Sequence, residues 1–161
     1  MSAWLDSTLA LLALPTFGLG TVFVISFLSA TFIPLGSEPV VIGLVKLNPA
    51  MLLPVIAVAT LGNTLGGALT WWMGRGAERA YERASEGFKH HPEPDARALR
   101  WLRRWGPRAC LLAWLPVVGD PLCALAGWLR LPFWACVAYM AVGKLARYVT
   151  MTLGVLSLWP G

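Results

Sequence analysis

Charged residues are scarce in this chain, and their scarcity excludes an ordinary soluble protein. Of the 161 residues, 13% are charged and 57% are hydrophobic, and the mean hydropathy is +0.64. These values predict an integral membrane protein with a single domain over residues 1–161, because the chain is too short for a separate soluble module. The opening stretch, MSAWLDSTLALLALP, holds an acidic residue and no basic cluster, so no cleavable signal is predicted. It fits either an interfacial helix or the start of a longer span.

Cysteine, histidine and the motifs of common enzymes are sparse as well. The three cysteines (Cys110, Cys123, Cys136) lie in apolar runs without zinc-ligand spacing, so we predict free buried thiols. The two histidines are adjacent in a loop, HHPEPD, where their spacing does not favour a metal site. GxSxG, HExxH, P-loop and Gly-rich dinucleotide motifs are absent. We therefore expect no catalysis, no cofactor and no bound metal.

A short proline–acid element occurs twice in the chain and carries its two intramembrane carboxylates. Glu38 lies in the first copy, PLGSEP, and Asp120 lies in the second, PVVGDP. A carboxylate at the centre of a membrane helix costs roughly 3 kcal/mol or more, so we interpret both acids as functional. The prolines predicted to break the helices are Pro34, Pro39, Pro116 and Pro121.

The lengths of the apolar runs predict an all-α membrane fold built from two repeats. Most runs beside the proline elements are too short to cross a bilayer, and they fit re-entrant hairpins broken at proline. A transmembrane helix follows each hairpin, over residues 50–73 and 131–158. The repeats are residues 16–74 and 109–158. Two unrelated proline-kinked helix pairs are the alternative, although Gly62–Asn63 and Gly143–Lys144 stand at similar places in the two spans.

The segment between the repeats, residues 75–108, is the only strongly charged one. It holds nine of the thirteen Lys and Arg residues against five acids, which predicts a cytoplasmic loop. The single crossing before it would invert the two repeats, so a transport site is expected near the midplane. Residues 75–86 fit a continued helix in which arginines precede glutamates by three residues. Residues 95–105 fit an amphipathic helix at the membrane interface. We therefore expect the basic residues to bind lipid headgroups, and nucleic-acid binding is excluded as the reason for the positive net charge.

The two carboxylates are the first candidates for a transport site. If the hairpin tips meet, burial and mutual repulsion favour a proton on one of the two groups. Such a pair binds and releases a proton, or neutralises a bound cation. Helix capping is the alternative role, and Asp120–Pro121 fits it better than Glu38–Pro39 does.

Basic and amide side chains supply the remaining candidates. Lys144 and Arg147 lie well inside the last span on one helical face, where each needs a carboxylate or a lipid phosphate unless it extends to the interface. Arg130 closes a hairpin and is expected to contact a headgroup or pair with an acid. Asn63 is expected to hydrogen-bond between helices, on a small-residue face that serves the fold or a homo-oligomer. That face consists of Gly62, Gly66 and Gly67.

Four stretches together resemble the DedA-like family of membrane proteins (VTT or SNARE-associated), specifically its short YqaA-type bacterial branch. They are FLSATFIPLGSEP, GNTLGGALTWWMGR, LLAWLPVVGDPLCALAGWLRLPFW and GKLARY, within residues 24–150. The resemblance implies two opposed re-entrant hairpins in the bacterial inner membrane. It also implies lipid movement, because family members are linked to flipping undecaprenyl phosphate, to phospholipid scrambling and to proton-coupled membrane homeostasis.

The resemblance also bears on individual residues. Glu38 matches the acidic residue of the first hairpin that other members need. In longer members the sequence of the second hairpin resembles F-x-R-x-x-P-x-x-R. In this chain Ala113 and Gly119 occupy the two arginine positions of that pattern. Phosphate binding would then depend on the other basic candidates, which are Arg147, Lys144 and Arg130.

Three functions remain open from the sequence. The leading hypothesis is a flippase or scramblase of a polyprenyl phosphate or phospholipid, with membrane lipids as partners and protons as coupling ions. The second is a proton- or cation-coupled transporter of a small solute, which the paired carboxylates favour. The third is a non-transporting structural or interaction protein that uses the helix at 95–105 as its main surface.

Overall fold

The chain forms helices throughout the part that the structure, a computed structural model, describes: residues 15–31, 37–84, 96–115 and 119–158. The all-α class is therefore confirmed. The α-helices are α1 (Pro15–Thr31), α2 (Glu38–Leu47), α3 (Leu52–Ala84), α4 (Ala96–Trp105), α5 (Gly119–Trp128) and α6 (Phe133–Leu158). Short 3-10 helices cover Pro49–Met51 and Gly106–Trp114. Two of the predicted helix-breaking prolines, Pro34 and Pro116, and the HHPEPD loop lie outside the described residues.

The longest helix, α3, continues without a break from its apolar part into its charged part. It has 33 residues and ends at Ala84, so the charged stretch after the tryptophan pair is a helical extension, as the sequence predicted. Within the described residues, one helix is both long and apolar enough to cross a membrane by length and composition, and it covers Pro49–Arg83.

Two other helices are apolar but do not meet the same combined criterion. The apolar part of α1, Gly18–Thr31, is shorter. α6 has 26 residues, and its central lysine and arginine lower its mean hydropathy. The predicted crossing by residues 131–158 therefore stays a prediction.

The basic helix α4 has the amphipathic character that the sequence predicted for residues 95–105. Leu102 is fully buried in the protein core, whereas Trp101 and Trp105 remain exposed on the surface. The chain leaves α4 at Gly106, whose positive φ of 56° suits a residue without a side chain. Exposed tryptophans beside arginines are typical of a helix at a membrane interface.

α3 and α6 run antiparallel through the centre of the fold and are shared by two separate apolar cores. The first core combines α1, α2, the start of α3 and the later part of α6, with Val22, Val41, Val55 and Tyr148 among its buried members. The second combines α4, the 3-10 helix at 106–114, α5, the middle of α3 and the first part of α6, with Trp71, Cys110, Leu122 and Met140 among its members. Polar side chains fill the space between the two cores.

Glycine allows α3 and α5 to pack with their backbones in contact. A Cβ atom at Gly74 would collide with the carbonyl oxygen of Ala124, and one at Gly127 would collide with that of Trp71. Close helix packing through small residues is the usual solution in membrane domains, where apolar surface alone gives helices little reason to associate. This contact fixes α5, and hence the acid at its start, against the central helix.

Candidate functional site

Both sequence-predicted acids lie in the first turn of a short helix. Glu38 begins α2 after Ser37, which holds the N-cap position without making a side-chain capping bond, and Asp120 is the second residue of α5. Pro39 and Pro121 follow them, because a proline in the first turn removes an N–H that has no helical partner. Neither acid therefore occupies the N-cap position that the capping alternative requires.

Each acid forms an ion pair with a cation on α6. Arg147 donates to Glu38, and Lys144 lies 3.4 Å from the Asp120 carboxylate. The two cations are three residues apart on one helical face, so α6 connects the starting points of the two short helices. The side chains of Glu38 and Arg147 are 12% and 16% exposed, so this pair retains limited access to the surroundings.

Lys144 is more deeply enclosed than Arg147, and α3 supplies its second partner. Its side chain is 2% exposed, and its Nζ donates a 2.6 Å hydrogen bond to the main-chain oxygen of Asn63. A Cβ at Gly67 would lie only 3.0 Å from that Nζ, so glycine there makes room for the ammonium group. Lys144 is buried inside the protein and does not extend to a membrane interface, which contradicts the snorkelling alternative for this residue.

Tyr148 joins three helices through one buried hydroxyl. Asn63 Nδ2 donates to the tyrosine oxygen at 2.8 Å, which confirms the predicted interhelical hydrogen bond, and Ser37 Oγ lies 2.5 Å from the same oxygen. Neither Tyr148 nor Ser37 was predicted from the sequence as a member of the site. The sequence feature that could have indicated them is their position beside predicted site residues, since Tyr148 directly follows Arg147 and Ser37 directly precedes Glu38.

Comparison with known proteins identifies the family of this chain and several relatives. The family model for the VTT domain matches residues 33–156. The chain belongs to the VTT domain family. It is similar to the inner membrane protein YqaA of Escherichia coli, with 37% identity over 132 residues that cover 81% of this chain and 86% of the relative. A protein of Haemophilus influenzae is 38% identical over 136 residues, which cover 80% of this chain and 82% of that protein. No solved structure gives a significant match.

The family match confirms the resemblance to DedA-like membrane proteins that the sequence motifs indicated. The matched range encloses every member of the polar network, which we call the α6 network from here on. Its residues are Ser37, Glu38, Asn63, Asp120, Lys144, Arg147 and Tyr148. This VTT-family protein therefore brings the four charged candidates and their hydrogen-bond partners together in one connected site.

Replacing Tyr148 with phenylalanine tests how far the α6 network stabilises the VTT domain. The change leaves the amide of Asn63 and the hydroxyl of Ser37 without their shared buried partner, and we expect a loss of about 1–2 kcal/mol in the free energy of unfolding. Thermal unfolding in detergent micelles measures it. Tyr139→Phe, which removes the hydroxyl of a half-buried tyrosine on the same helix, is the matched control and should change stability by less than about 0.5 kcal/mol. Equal effects of the two variants would contradict the role of the network.

The small-residue face of this VTT domain serves packing inside the fold. Cβ atoms at Gly62 and Gly66 would come within 2.6 and 2.5 Å of the main-chain oxygens of Phe23 and Phe27 on α1. Gly67 faces Lys144 instead. The two alternatives for this face are thus decided in favour of the fold, and a homo-oligomer that uses another surface stays a prediction.

Arg130 lies outside the α6 network, in the turn between α5 and α6 of the VTT domain. Its Nη2 contacts carboxylate oxygens of Glu78 at 2.5 Å and Glu82 at 2.6 Å, so it forms the charge pair that was one of its two predicted roles. These contacts raise the pKa of the Arg130 guanidinium, with the hydrogen bond to Glu78 as the main cause. Glu78 and Glu82 of α3 therefore bind an arginine from a different element, and the predicted pairing within the helix stays a prediction.

The three cysteines lie in the core of the fold. All three are free and buried, as predicted, and they belong to the second core. Among the described residues there is no group of three or more His, Cys, Asp and Glu side chains suited to a metal ion.

Proposed function

We propose that this VTT-family protein is a membrane transporter that moves lipid headgroups across the bilayer, as a flippase or scramblase of a polyprenyl phosphate or phospholipid. The observation that carries the proposal is that two acids, at the starts of two short helices, pair with two cations on one long helix. Ionisable groups inside a membrane domain are costly and commonly line a polar pathway. The α6 network has the composition of such a pathway.

In this proposal the two halves are inverted repeats in the bacterial inner membrane, each with a re-entrant hairpin and a transmembrane helix, and residues 75–108 are cytoplasmic. The relatives named inner membrane protein support the location. The two apolar cores support the division into halves. Gly62 and Gly143 support the repeat, since each packs against a main-chain oxygen of the first arm of its own half, at Phe23 and Leu111. Transporters with inverted repeats bind substrate where such broken helices meet.

A lipid phosphate would enter the α6 network at Arg147. A guanidinium binds phosphate and carboxylate with the same fork of N–H donors, so a headgroup competes with Glu38. A proton on Glu38 removes its charge and favours the phosphate, and loss of that proton restores the ion pair and favours release. Lys144 is enclosed by Asn63 and Asp120, which assigns it to holding the helices together. The cycle makes and breaks no covalent bond and needs no cofactor.

A proton- or cation-coupled transporter of a small solute is the second candidate, and one observation favours it. Both cations of the α6 network are already engaged by carboxylates. In addition, this chain has Ala113 and Gly119 at the two positions where the motif that longer members of the family resemble has arginines. A network with paired charges is suited to carrying protons or cations as well as to binding an anion.

Lipid translocation by purified protein in liposomes tests the proposal. We expect native protein to move a labelled polyprenyl phosphate or phospholipid across the bilayer, faster when a pH gradient is imposed. Glu38→Gln and Arg147→Gln should each lower the rate roughly tenfold to a hundredfold, because each removes one charge-assisted contact. Arg104→Gln, which removes an exposed arginine from α4, is the charge-matched control and should leave the rate unchanged.

Three results would contradict the proposal. Folded native protein without lipid translocation would exclude the lipid function. Proton movement that depends on Glu38 in the absence of lipid movement would establish the solute or ion candidate. Full translocation by both network variants would remove the α6 network from the pathway and leave a structural role for its charges.

A further inference from the structure

A second charged region lies at the far end of α3, beyond the tryptophan pair. It is an open cavity of about 330 Å³ lined by four arginines and one glutamate: Arg75, Arg79, Arg83, Arg130 and Glu82. Asn63 of the α6 network and Arg79 are sixteen residues apart on the same helix, which is roughly 24 Å along its axis. The cavity is therefore separate from the site proposed for transport.

Three of the arginines share one face of α3. Arg75, Arg79 and Arg83 follow each other at intervals of four residues, so their guanidinium groups are neighbours on the helix surface and repel one another. The single carboxylate of the lining, Glu82, already binds Arg130. An anion in the cavity would relieve this repulsion, and guanidinium forks match phosphate oxygens well.

The fourth arginine is held in place by a strained backbone. Arg130 N–H donates to Gly127 and Leu131 N–H donates to Ala126, the two bonds of a Schellman motif that ends α5. Arg130 takes the left-handed position of that motif, with φ of 55°, where glycine is usual. A side chain kept at an unfavourable backbone conformation points to a function for that side chain.

Aromatic side chains place the cavity at the depth of lipid headgroups. Trp71, Trp72, Phe133 and Trp134 form a connected cluster with ring centroids 5.1 to 5.9 Å apart. Trp72 and Trp134 are 54% and 80% exposed, as expected of tryptophans in the interfacial belt of a membrane protein. Arg75 lies 5.7 Å from the centre of the Trp71 ring and connects this cluster to the cavity.

We propose that this cavity binds the phosphate headgroup of an anionic membrane lipid, such as phosphatidylglycerol, as a resident lipid at the membrane interface. Basic pockets between membrane helices are suited to such headgroups, and the cavity volume suits a small one. The lipid bridges the charged end of α3 and the α5–α6 turn, where Tyr81 and Trp128 also meet at 5.8 Å. This binding is independent of the proposed function.

Calorimetric titration of the purified full-length protein in detergent micelles tests the site. The probes are short-chain phosphatidylglycerol, short-chain phosphatidylcholine and inorganic phosphate. We expect phosphatidylglycerol to bind and the other two to bind at least tenfold more weakly. Arg79→Gln should weaken phosphatidylglycerol binding roughly fivefold, the effect of one cation near a lipid phosphate. Arg130→Gly should weaken it at least as much. Glycine suits the left-handed backbone, but the change also removes the ion pairs to Glu78 and Glu82, so thermal unfolding of this variant is measured beside its binding.

Lys46→Gln, which removes an exposed cation from α2 at the other end of the molecule, is the charge-matched control and should bind phosphatidylglycerol as the native protein does. Equal weakening in all three variants would indicate general charge attraction and overturn the site. Inorganic phosphate that binds as tightly as phosphatidylglycerol would overturn the lipid assignment in favour of a free anion. Unchanged binding by Arg79→Gln and Arg130→Gly would place the lipid elsewhere.

Discussion

Replacing Gly74 with alanine is expected to lower the free energy of unfolding by about 3 kcal/mol or more, a fall of roughly 10 °C in the unfolding midpoint. The added methyl group would collide with the main-chain oxygen of Ala124, and a backbone atom cannot move aside as a side chain can. α5 must therefore separate from α3 along the whole contact. Thermal unfolding of the protein in detergent micelles measures the change.

Gly76→Ala is the matched control for that experiment. Gly76 lies on the same helix two residues away, and nothing stands within 4 Å of the position where its Cβ would be. Alanine there should stabilise the protein by about 0.5–1 kcal/mol, because it favours the helix over the unfolded chain. If both variants behave alike, the close approach of α3 and α5 described above is wrong.

Removing the charge of Lys144 is the second change with a large expected effect. Lys144→Met keeps the length of the side chain but leaves the Asp120 carboxylate and the Asn63 carbonyl without their cation. Loss of one partner of a buried ion pair destabilises a protein by about 3–5 kcal/mol. We expect the lower end, since the Asp120 side chain is 29% exposed and can be partly solvated. Thermal unfolding again measures the effect.

A second substitution distinguishes the contribution of the ion pair to stability from the contribution of side-chain packing. Adding Asp120→Asn to Lys144→Met removes the uncompensated carboxylate, so the double variant should recover about 1–2 kcal/mol relative to Lys144→Met alone. No recovery would show that the lysine acts through its packing alone. A Lys144→Met protein as stable as the native one would exclude a buried ion pair at this position.

Much of the fold could be predicted from local sequence. The all-helical class, the continuation of α3 into its charged end and the amphipathic helix α4 follow from hydrophobic length and periodicity, which are local properties. The backbone contact between α3 and α5, at Gly74 against Ala124 and at Gly127 against Trp71, could not be predicted, because it depends on which helices meet. A glycine by itself is equally compatible with exposure, as Gly76 is.

The charged residues of the candidate site could be predicted from the sequence, but the contacts between them could not. Glu38, Asp120, Lys144 and Arg147 stood out because a charge is costly in an apolar run. Tyr148 did not, since a tyrosine in a membrane helix carries no such cost and its buried hydroxyl has meaning only beside its partners. The pairing of each acid with a particular cation likewise required the three-dimensional arrangement of the helices.

Three polar side chains of the α6 network lie on one short stretch of α6, and this restricts how α6 can move. Lys144, Arg147 and Tyr148 occupy little more than one helical turn, and their partners come from the starts of α2 and α5 and from α3. A helix behaves as a rigid body over so short a length, so rotation or sliding of α6 displaces all three groups together. Any movement of α6 therefore acts on both ion pairs at once.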